Sequence, residues 1–244
     1  GNYLMKLLLI TGGSKGLGLA LCEQFKQKGY QIIEFSRSAP HEFSVSVDLT
    51  NPEVSRLAVA KAIASINANQ LQDLVVINNA GTLAPIGQTS EKTSSDLLNN
   101  MNTNFVSAIL ILTEIIARFQ SATCKKVLAN ISSGAALKGY YGWSLYCAAK
   151  AGMENFIHSL AVEQQTQPHP FLPINIDPGV IDTDMQAIIR ATPQSDFADV
   201  ERFIQRKNQG LLVSPDKVAA SIINIIELPS LLFGNRYETS KHNN

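Results

Sequence analysis

Cysteine is scarce in this chain of 244 residues. Cys22, Cys124 and Cys147 are the only three, an odd and scattered set that forms neither a disulfide framework nor a thiolate metal site and fits a reducing compartment. Histidine is nearly as sparse: His41, His158, His169 and His242 have no ligand spacing and no triad pattern, so no metal is expected. Net charge is missing too. Lys and Arg number 20 and Asp and Glu 20, which leaves no long-range field to recruit nucleic acid or an anionic membrane. The most apolar stretch, Phe105 to Phe119, is interrupted by Glu114 and repeats Phe105, Ile109, Leu112, Ile116 and Phe119 at helical spacing. That marks a buried helix face, not a membrane span. No cleavage-site pattern follows the apolar run Leu7 to Ile10, which argues against a secretory signal. Gly1 to Leu4 are expected to include a cloning remnant ahead of a natural start at Met5, and the protein is expected in the cytoplasm.

What is present is apolar. Hydrophobic residues make up 45% and charged ones 16%, enough for a sizeable core, and the length suits one larger domain. Short apolar runs alternate with longer helical patterns. Strands are expected at 6–11, 31–36, 44–47, 74–78, 126–132, 173–177 and 231–237, and helices at 18–29, 51–67, 94–120, 143–165 and 215–227. The strands are apolar on both faces, as in a parallel sheet covered on both sides. The alternation predicts a single α/β domain over 1–244, a doubly wound Rossmann-type fold with a mostly parallel sheet of about seven strands. Residues 181–213 break the rhythm near the strand C-termini, where such an insertion is expected to cover a ligand.

The first strand runs into Thr11-Gly12-Gly13-Ser14-Lys15-Gly16-Leu17-Gly18. Glycines at 12, 16 and 18 permit a tight turn, close approach of a phosphate and close helix–strand packing, and the following helix offers its free N–H groups to a pyrophosphate. A glycine turn that binds nothing is the alternative, disfavoured by its place between strand and helix. At the end of the second strand, where an acid would hold the ribose of NAD, stand Ser36 and Arg37. With Lys15 they favour the 2′-phosphate of NADP, unless both cations are ordinary surface charges. Asp48 closes the third strand and either accepts from an adenine amino group or caps the next helix. Asn78-Asn79-Ala80-Gly81 closes the fourth, with small residues for a close-lying cofactor and amides to tie strands together.

Tyr146 and Lys150 fall four apart on a predicted helix and share a face. Adding hydride to a ketone builds negative charge on oxygen, which needs a positioned proton donor. A neighbouring ammonium, together with an oxidised nicotinamide, is expected to lower the phenol's pKa. Ser133, at the end of the fifth strand, either holds the substrate carbonyl or only makes a turn. Asn104, in an apolar helix face, is either a functional hydrogen-bonding group or a satisfied core amide. Tyr140, Tyr141 and Trp143, just ahead of Tyr146, either wall an aromatic substrate pocket or pack in a core or subunit interface. Met185 and Gln186 open the covering segment and can line the same pocket.

Taken together, these residues resemble the short-chain dehydrogenase/reductase family. The resemblance is carried, in order across residues 7 to 184, by the Thr11 to Gly18 loop, Asp48, Asn78 to Gly81, Asn104, Ser133, Tyr146-x-x-x-Lys150 and Pro178-Gly179 with Thr183, with Tyr146 thirteen positions beyond Ser133. It implies that Tyr146 is the acid–base and that Lys150 binds the nicotinamide ribose. Ser133 would orient the carbonyl, and Asn104 would hold a water in a proton relay behind Lys150. It implies cofactor contacts from Gly12, Ser14, Lys15, Gly16, Leu17, Gly18, Ser36, Arg37, Asp48, Asn79, Ala80 and Gly81, and from Pro178, Gly179 and Thr183 at the nicotinamide end. Within the family, the stretches Gly142 to Cys147, Pro178 to Gln186 and Gly210 to Val213 are similar to the sepiapterin and benzil reductase members. Glu238 falls near the acid that anchors a pterin in the former.

The expected protein is therefore an NADPH-dependent carbonyl reductase of aromatic or vicinal dicarbonyl compounds. The resemblance implies a homodimer built on the 94–120 and 143–165 helices, with a tetramer left open. Two alternatives remain: a 3-oxoacyl thioester reductase, and a non-catalytic NADP(H)-sensing protein on the same fold.

Overall fold

Leu7, Leu8, Leu9 and Ile10 sit on one strand and are all buried, which requires cover on both faces of the sheet because successive side chains point to opposite sides. The computed structural model, which describes residues 3–243, has that cover. Gly1 and Asn2, the start of the expected remnant, lie outside the described residues. The strands are β1 (Met5–Thr11), β2 (Gln31–Ser36), β3 (Ser44–Ser46), β4 (Leu71–Asn78), β5 (Lys125–Ile131), β6 (Leu172–Asp177) and β7 (Arg236–Glu238). They form one sheet in the order β3-β2-β1-β4-β5-β6-β7, with every neighbouring pair parallel. The order reverses between β1 and β4, so a crevice opens at the strand C-termini there.

The helices are α1 (Gly16–Gln27), α2 (Pro52–Ile63), α3 (Ser94–Met101), α4 (Ser107–Phe119), α5 (Ser144–Gln164), α6 (Asp184–Arg190), α7 (Val200–Asn208) and α8 (Pro215–Ile226). Leu8 and Ile10 pack with Leu21 and Phe25 of α1 and Ile222 and Ile225 of α8. Leu7 and Leu9 pack on the other face with Ile111, Leu112 and Phe119 of α4 and Met153 and Ile157 of α5. The apolar stretch from Phe105 to Phe119 thus lays its buried face, with Ile111, Leu112, Ile115 and Phe119, on the sheet. Across the sheet centre, Asn78 Nδ2 donates to Asn130 Oδ1 and Asn130 Nδ2 to Asn175 Oδ1, both at 2.9 Å. This amide ladder ties β4, β5 and β6 together.

Three expectations are corrected. The 94–120 helix is interrupted by a π turn, Asn102–Val106, because Asn104 turns its amide onto the backbone of Thr82. The last strand spans only Arg236–Glu238. Leu231 is buried in a loop instead, and Gly234, at φ +76°, turns the chain ahead of the strand. The 51–67 helix stops at Ile63, and Asn67 then caps a separate 3₁₀ turn by accepting from Asn69 N at 3.0 Å. Residues 181–213 fold into α6 and α7, and their ends are joined where Ile181 bridges Val213.

Candidate active site

The strand C-termini converge on the loop between β1 and α1. Thr11 Oγ1 accepts from Asn79 N at 3.0 Å and Ala80 N at 3.1 Å, which fixes the turn after β4 beside the glycine loop. Asn79 Nδ2 donates to Gly12 O at 3.1 Å. Gly12 has φ +72°, and a Cβ at Gly18 would lie 1.9 Å from Gly12 O, so the loop closes this tightly only with glycine there. Lys15, at the N-cap of α1, makes no side-chain cap bond, which leaves first-turn N–H groups free for an anion.

Beneath this loop lies Glu34, fully buried. Its Oε2 takes the Gly13 N–H at 3.0 Å, and its Oε1 takes the hydroxyls of Ser36, at 2.9 Å, and Ser44. The acid at the end of β2 is therefore consumed inside the protein. Ser36 Oγ also accepts from Ala39 N at 3.1 Å, so its hydroxyl is already bonded. Arg37 is exposed. Lys15 is exposed too and pairs at 3.3 Å with Asp184 at the start of α6. Asp48 Oδ1 accepts from Thr50 N at 3.0 Å and Thr50 Oγ1 at 2.7 Å, which holds its carboxyl below the usual range. Asn51, not Asp48, occupies the N-cap of α2, so the capping alternative for Asp48 is not what the fold uses.

At the other end, α5 brings Tyr146 and Lys150 onto one buried face, with Lys150 Nζ 5.4 Å from the phenol ring centroid. Lys150 Nζ donates to Ile131 O at the end of β5 at 2.9 Å. The Ser133 hydroxyl, which accepts from Ala135 N at 3.1 Å, lies close enough to Tyr146 to pull on its proton. Burial pushes the phenol up to about 12, against the pull of Ser133. Burial pushes Lys150 down to about 8, with the Glu154 carboxylate opposing. Desolvation outweighs the pull of Ser133, so the phenol is held protonated in the protein alone. Asn104 Oδ1 accepts from Thr82 N at 2.8 Å, and its Nδ2 donates to Thr82 O at 2.8 Å and Asn100 Oδ1 at 3.0 Å. A Cβ at Gly81 would sit 3.3 Å from Asn104 Oδ1 and 3.9 Å from Lys150 Nζ, so Gly81 is wedged between the two.

Residues 6–194 match the family model described as short chain dehydrogenase. A benzil reductase ((S)-benzoin forming) of Bacillus subtilis is 36% identical over 228 residues, covering 91% of this chain and 94% of that protein. A sepiapterin reductase of Meriones unguiculatus is 27% identical over 243 residues, covering 90% of each. Among solved structures, KRED1-Pglu superposes with a TM-score of 0.80 at 26% identity, covering 95% of this chain and 100% of that one. The chain belongs to the short-chain dehydrogenase family.

In this short-chain dehydrogenase, an oxidoreductase of the nicotinamide-dependent kind, the Pro178-Gly179 turn follows β6. Gly179 N donates to Asp177 Oδ1 at 2.9 Å. Thr183 takes the N-cap position of α6, and its Cγ2 lies 3.8 Å from where a Cβ at Gly16 would be. The start of the covering segment thus sits against the glycine loop. Trp143 is buried in a cluster that joins α5 to that cover. Its ring stacks at 4.8 Å on both Phe197 and Tyr140 and meets Tyr146 edge-on at 5.9 Å. Of its two expected roles, core packing is the one the fold displays. Tyr141 lies on the exposed rim and accepts from Gln88 Nε2 at 2.6 Å. Met185 packs half-buried on the cluster. Among the described residues, Gln186 Oε1 and Trp143 Nε1 are buried without partners. Glu238 pairs with Arg236 at 3.6 Å and Lys241 at 3.5 Å.

Sequence reasoning missed Glu154, Asp177 and Arg236, which bond to one another behind Ser133. Only Glu154 carried a local signal: an acid four residues past Lys150 on a helix face that is otherwise buried. It also missed Phe197 and Phe203, whose place under the cover depends on a segment with no sequence periodicity to read.

Proposed function

We propose that this protein is an NADPH-dependent carbonyl reductase whose preferred substrates are aromatic or vicinal dicarbonyl compounds such as benzil. The reading is carried by one observation: buried Tyr146 and Lys150 share one face of α5, with Lys150 Nζ 5.4 Å from the phenol ring and bonded to the end of β5, where half-buried Ser133 follows. The likeness to a benzil reductase supports the substrate class.

The residues fit the dinucleotide. The glycine loop has no room for a Cβ at Gly18, and the uncapped start of α1 suits a pyrophosphate. Glu34 is spent on Gly13 N–H and so is not available to a ribose, while Arg37 and Lys15 are exposed cations that suit a 2′-phosphate. When bound, NADPH supplies the hydride to the carbonyl carbon. Tyr146, held protonated by burial, gives the proton from its Oη to the carbonyl oxygen. Ser133 Oγ bonds the same oxygen and orients it. Lys150 would hold the nicotinamide ribose and would stabilise the phenolate left behind. The Trp143 cluster keeps water away from the phenol, which strengthens each of these interactions.

A homodimer in the cytoplasm, built across α4 and α5, is part of the same reading; Val162 on α5 is 69% exposed. The test is NADPH oxidation with benzil, sepiapterin and a 3-oxoacyl thioester. Turnover of benzil above the thioester is expected. Turnover of the thioester alone refutes the substrate class, and NADPH binding without turnover of any carbonyl refutes the reductase reading.

A further inference from the structure

Arg236 stands at the start of β7, the edge strand, with its side chain only 18% exposed. One guanidinium reaches three elements that carry the site. Nε donates to Glu154 Oε1 at 3.1 Å and Oε2 at 3.3 Å on α5. Nη2 donates to Asp177 Oδ2 at 2.9 Å, at the end of β6, and to the Ser133 carbonyl at 3.3 Å, just past β5. Nη1 lies 3.6 Å from Glu238 Oε1.

Each acceptor leads on to a group of the site. Ser133 carries the hydroxyl placed beside Tyr146, where it opposes the rise of the phenol. Asp177 uses its second oxygen to hold the Gly179 N–H of the nicotinamide-end turn at 2.9 Å. Glu154 lies one helical turn beyond Lys150 and accepts the Ser132 hydroxyl at 2.7 Å. Without the guanidinium, two largely buried carboxylates would face each other unpaired, and the ends of β5 and β6 would lose their common anchor to α5. A planar fork can join two carboxylates and a carbonyl in one geometry, whereas an ammonium on a flexible stem cannot.

We propose that Arg236 is a positioning residue for the reaction, a clamp that holds the Ser133 hydroxyl and the Pro178-Gly179 turn in register with Tyr146 and Lys150. This rests on the reading of the site as a carbonyl reductase. The clamp lands at the C-terminal tips of the strands, where it sets the relative placement of the carbonyl-orienting group and the nicotinamide-end turn. The glycine loop, Arg37 and Lys15 are untouched by it.

The test uses the full chain with NADPH and benzil in single turnover, for wild type, Arg236→Met, Arg236→Lys, Ser133→Ala and the double variant Arg236→Met/Ser133→Ala. Rates are normalised to the NADPH-binding fraction, so loss of folded protein does not count. Arg236→Met is expected to slow transfer by about 10- to 100-fold while NADPH affinity stays within about threefold, and Arg236→Lys is expected to fall between it and wild type. Because Arg236 acts through Ser133, the two losses in the double variant must be far less than multiplicative. Amide exchange at Ser133–Ala136 and Gly179 should also accelerate in Arg236→Met while exchange at the glycine loop does not, a readout independent of turnover. A normalised rate for Arg236→Met within twofold of wild type, or fully multiplicative losses, overturns the proposal. If Arg236→Met does not fold, the same normalised rates and exchange pattern in Asp177→Asn, which weakens one arm of the clamp, decide it on the same criteria. Wild type that turns over no carbonyl refutes the reductase reading instead, and the exchange pattern then judges the clamp alone.

Discussion

Trp143 is the chain's one tryptophan, and replacing it with alanine tests how the cover is held over the phenol. The indole is 6% exposed, with ring centroids at 4.8 Å from Phe197, 4.8 Å from Tyr140, 5.6 Å from Phe203 and 5.9 Å from Tyr146. Truncating a buried large aromatic costs about 3–5 kcal/mol in lost transfer energy and cavity. The Trp143 Nε1–H has no partner among the described residues, so no hydrogen bond is lost with it, and about 4 kcal/mol is expected. At about 2–4 °C per kcal/mol for a chain of this size, the melting temperature should drop by about 8–16 °C. Trp143→Phe keeps a ring against Phe197 and should lose about half as much. Because the residue ties α5 to the cover and not to the glycine loop, Trp143→Ala should raise KM for the carbonyl substrate and leave NADPH affinity nearly unchanged. Thermal melts, NADPH titration and steady-state kinetics read these quantities, and wild-type emission should be that of a buried indole. A loss under about 1 kcal/mol, with KM unchanged, refutes the structural role assigned to the cluster.

Further outcomes follow from the same geometry. Arg37→Asp should weaken NADPH far more than NADH in parallel fluorescence titrations, and equal effects on both would remove the argument for NADP. Lys126 is a buried ammonium held by the carbonyls of Phe119, Gln120, Ala122 and His169 at 2.6–3.0 Å. Lys126→Met strands those acceptors and should cost about 3–5 kcal/mol in denaturant unfolding; a loss under about 1 kcal/mol contradicts it. Lys150 is pushed down to about 8 and Tyr146 up to about 12. The ammonium is therefore present below about pH 8 and lost above it, while the phenol keeps its proton throughout the neutral range. Carbonyl reduction at saturating NADPH should fall through a limb near pH 8, and a phenol titrating near neutrality in the protein alone, seen by Tyr NMR, contradicts the burial argument.

The features legible in the sequence were local ones. The glycine loop, Tyr146 with Lys150 at helical spacing, and the small residues after β4 each declare themselves within a few positions, and the structure brings them to one edge. Glu34 was not legible as a buried support, because its partners Gly13 and Ser44 come from other parts of the chain. The π turn at Asn104 depends on the Thr82 backbone, and Arg236 gains its meaning only when β7 docks beside β6. The desolvation that raises the Tyr146 phenol was not legible for a related reason. The spacing displays the ammonium, while desolvation comes from packing that Trp143 and the cover complete.

The central claim is that Tyr146 donates the proton to a carbonyl held by Ser133. Single-turnover NADPH oxidation with benzil by Tyr146→Phe tests it most directly. The account predicts a loss of about 10²- to 10⁴-fold with NADPH affinity unchanged, whereas a rate within threefold of wild type would contradict it.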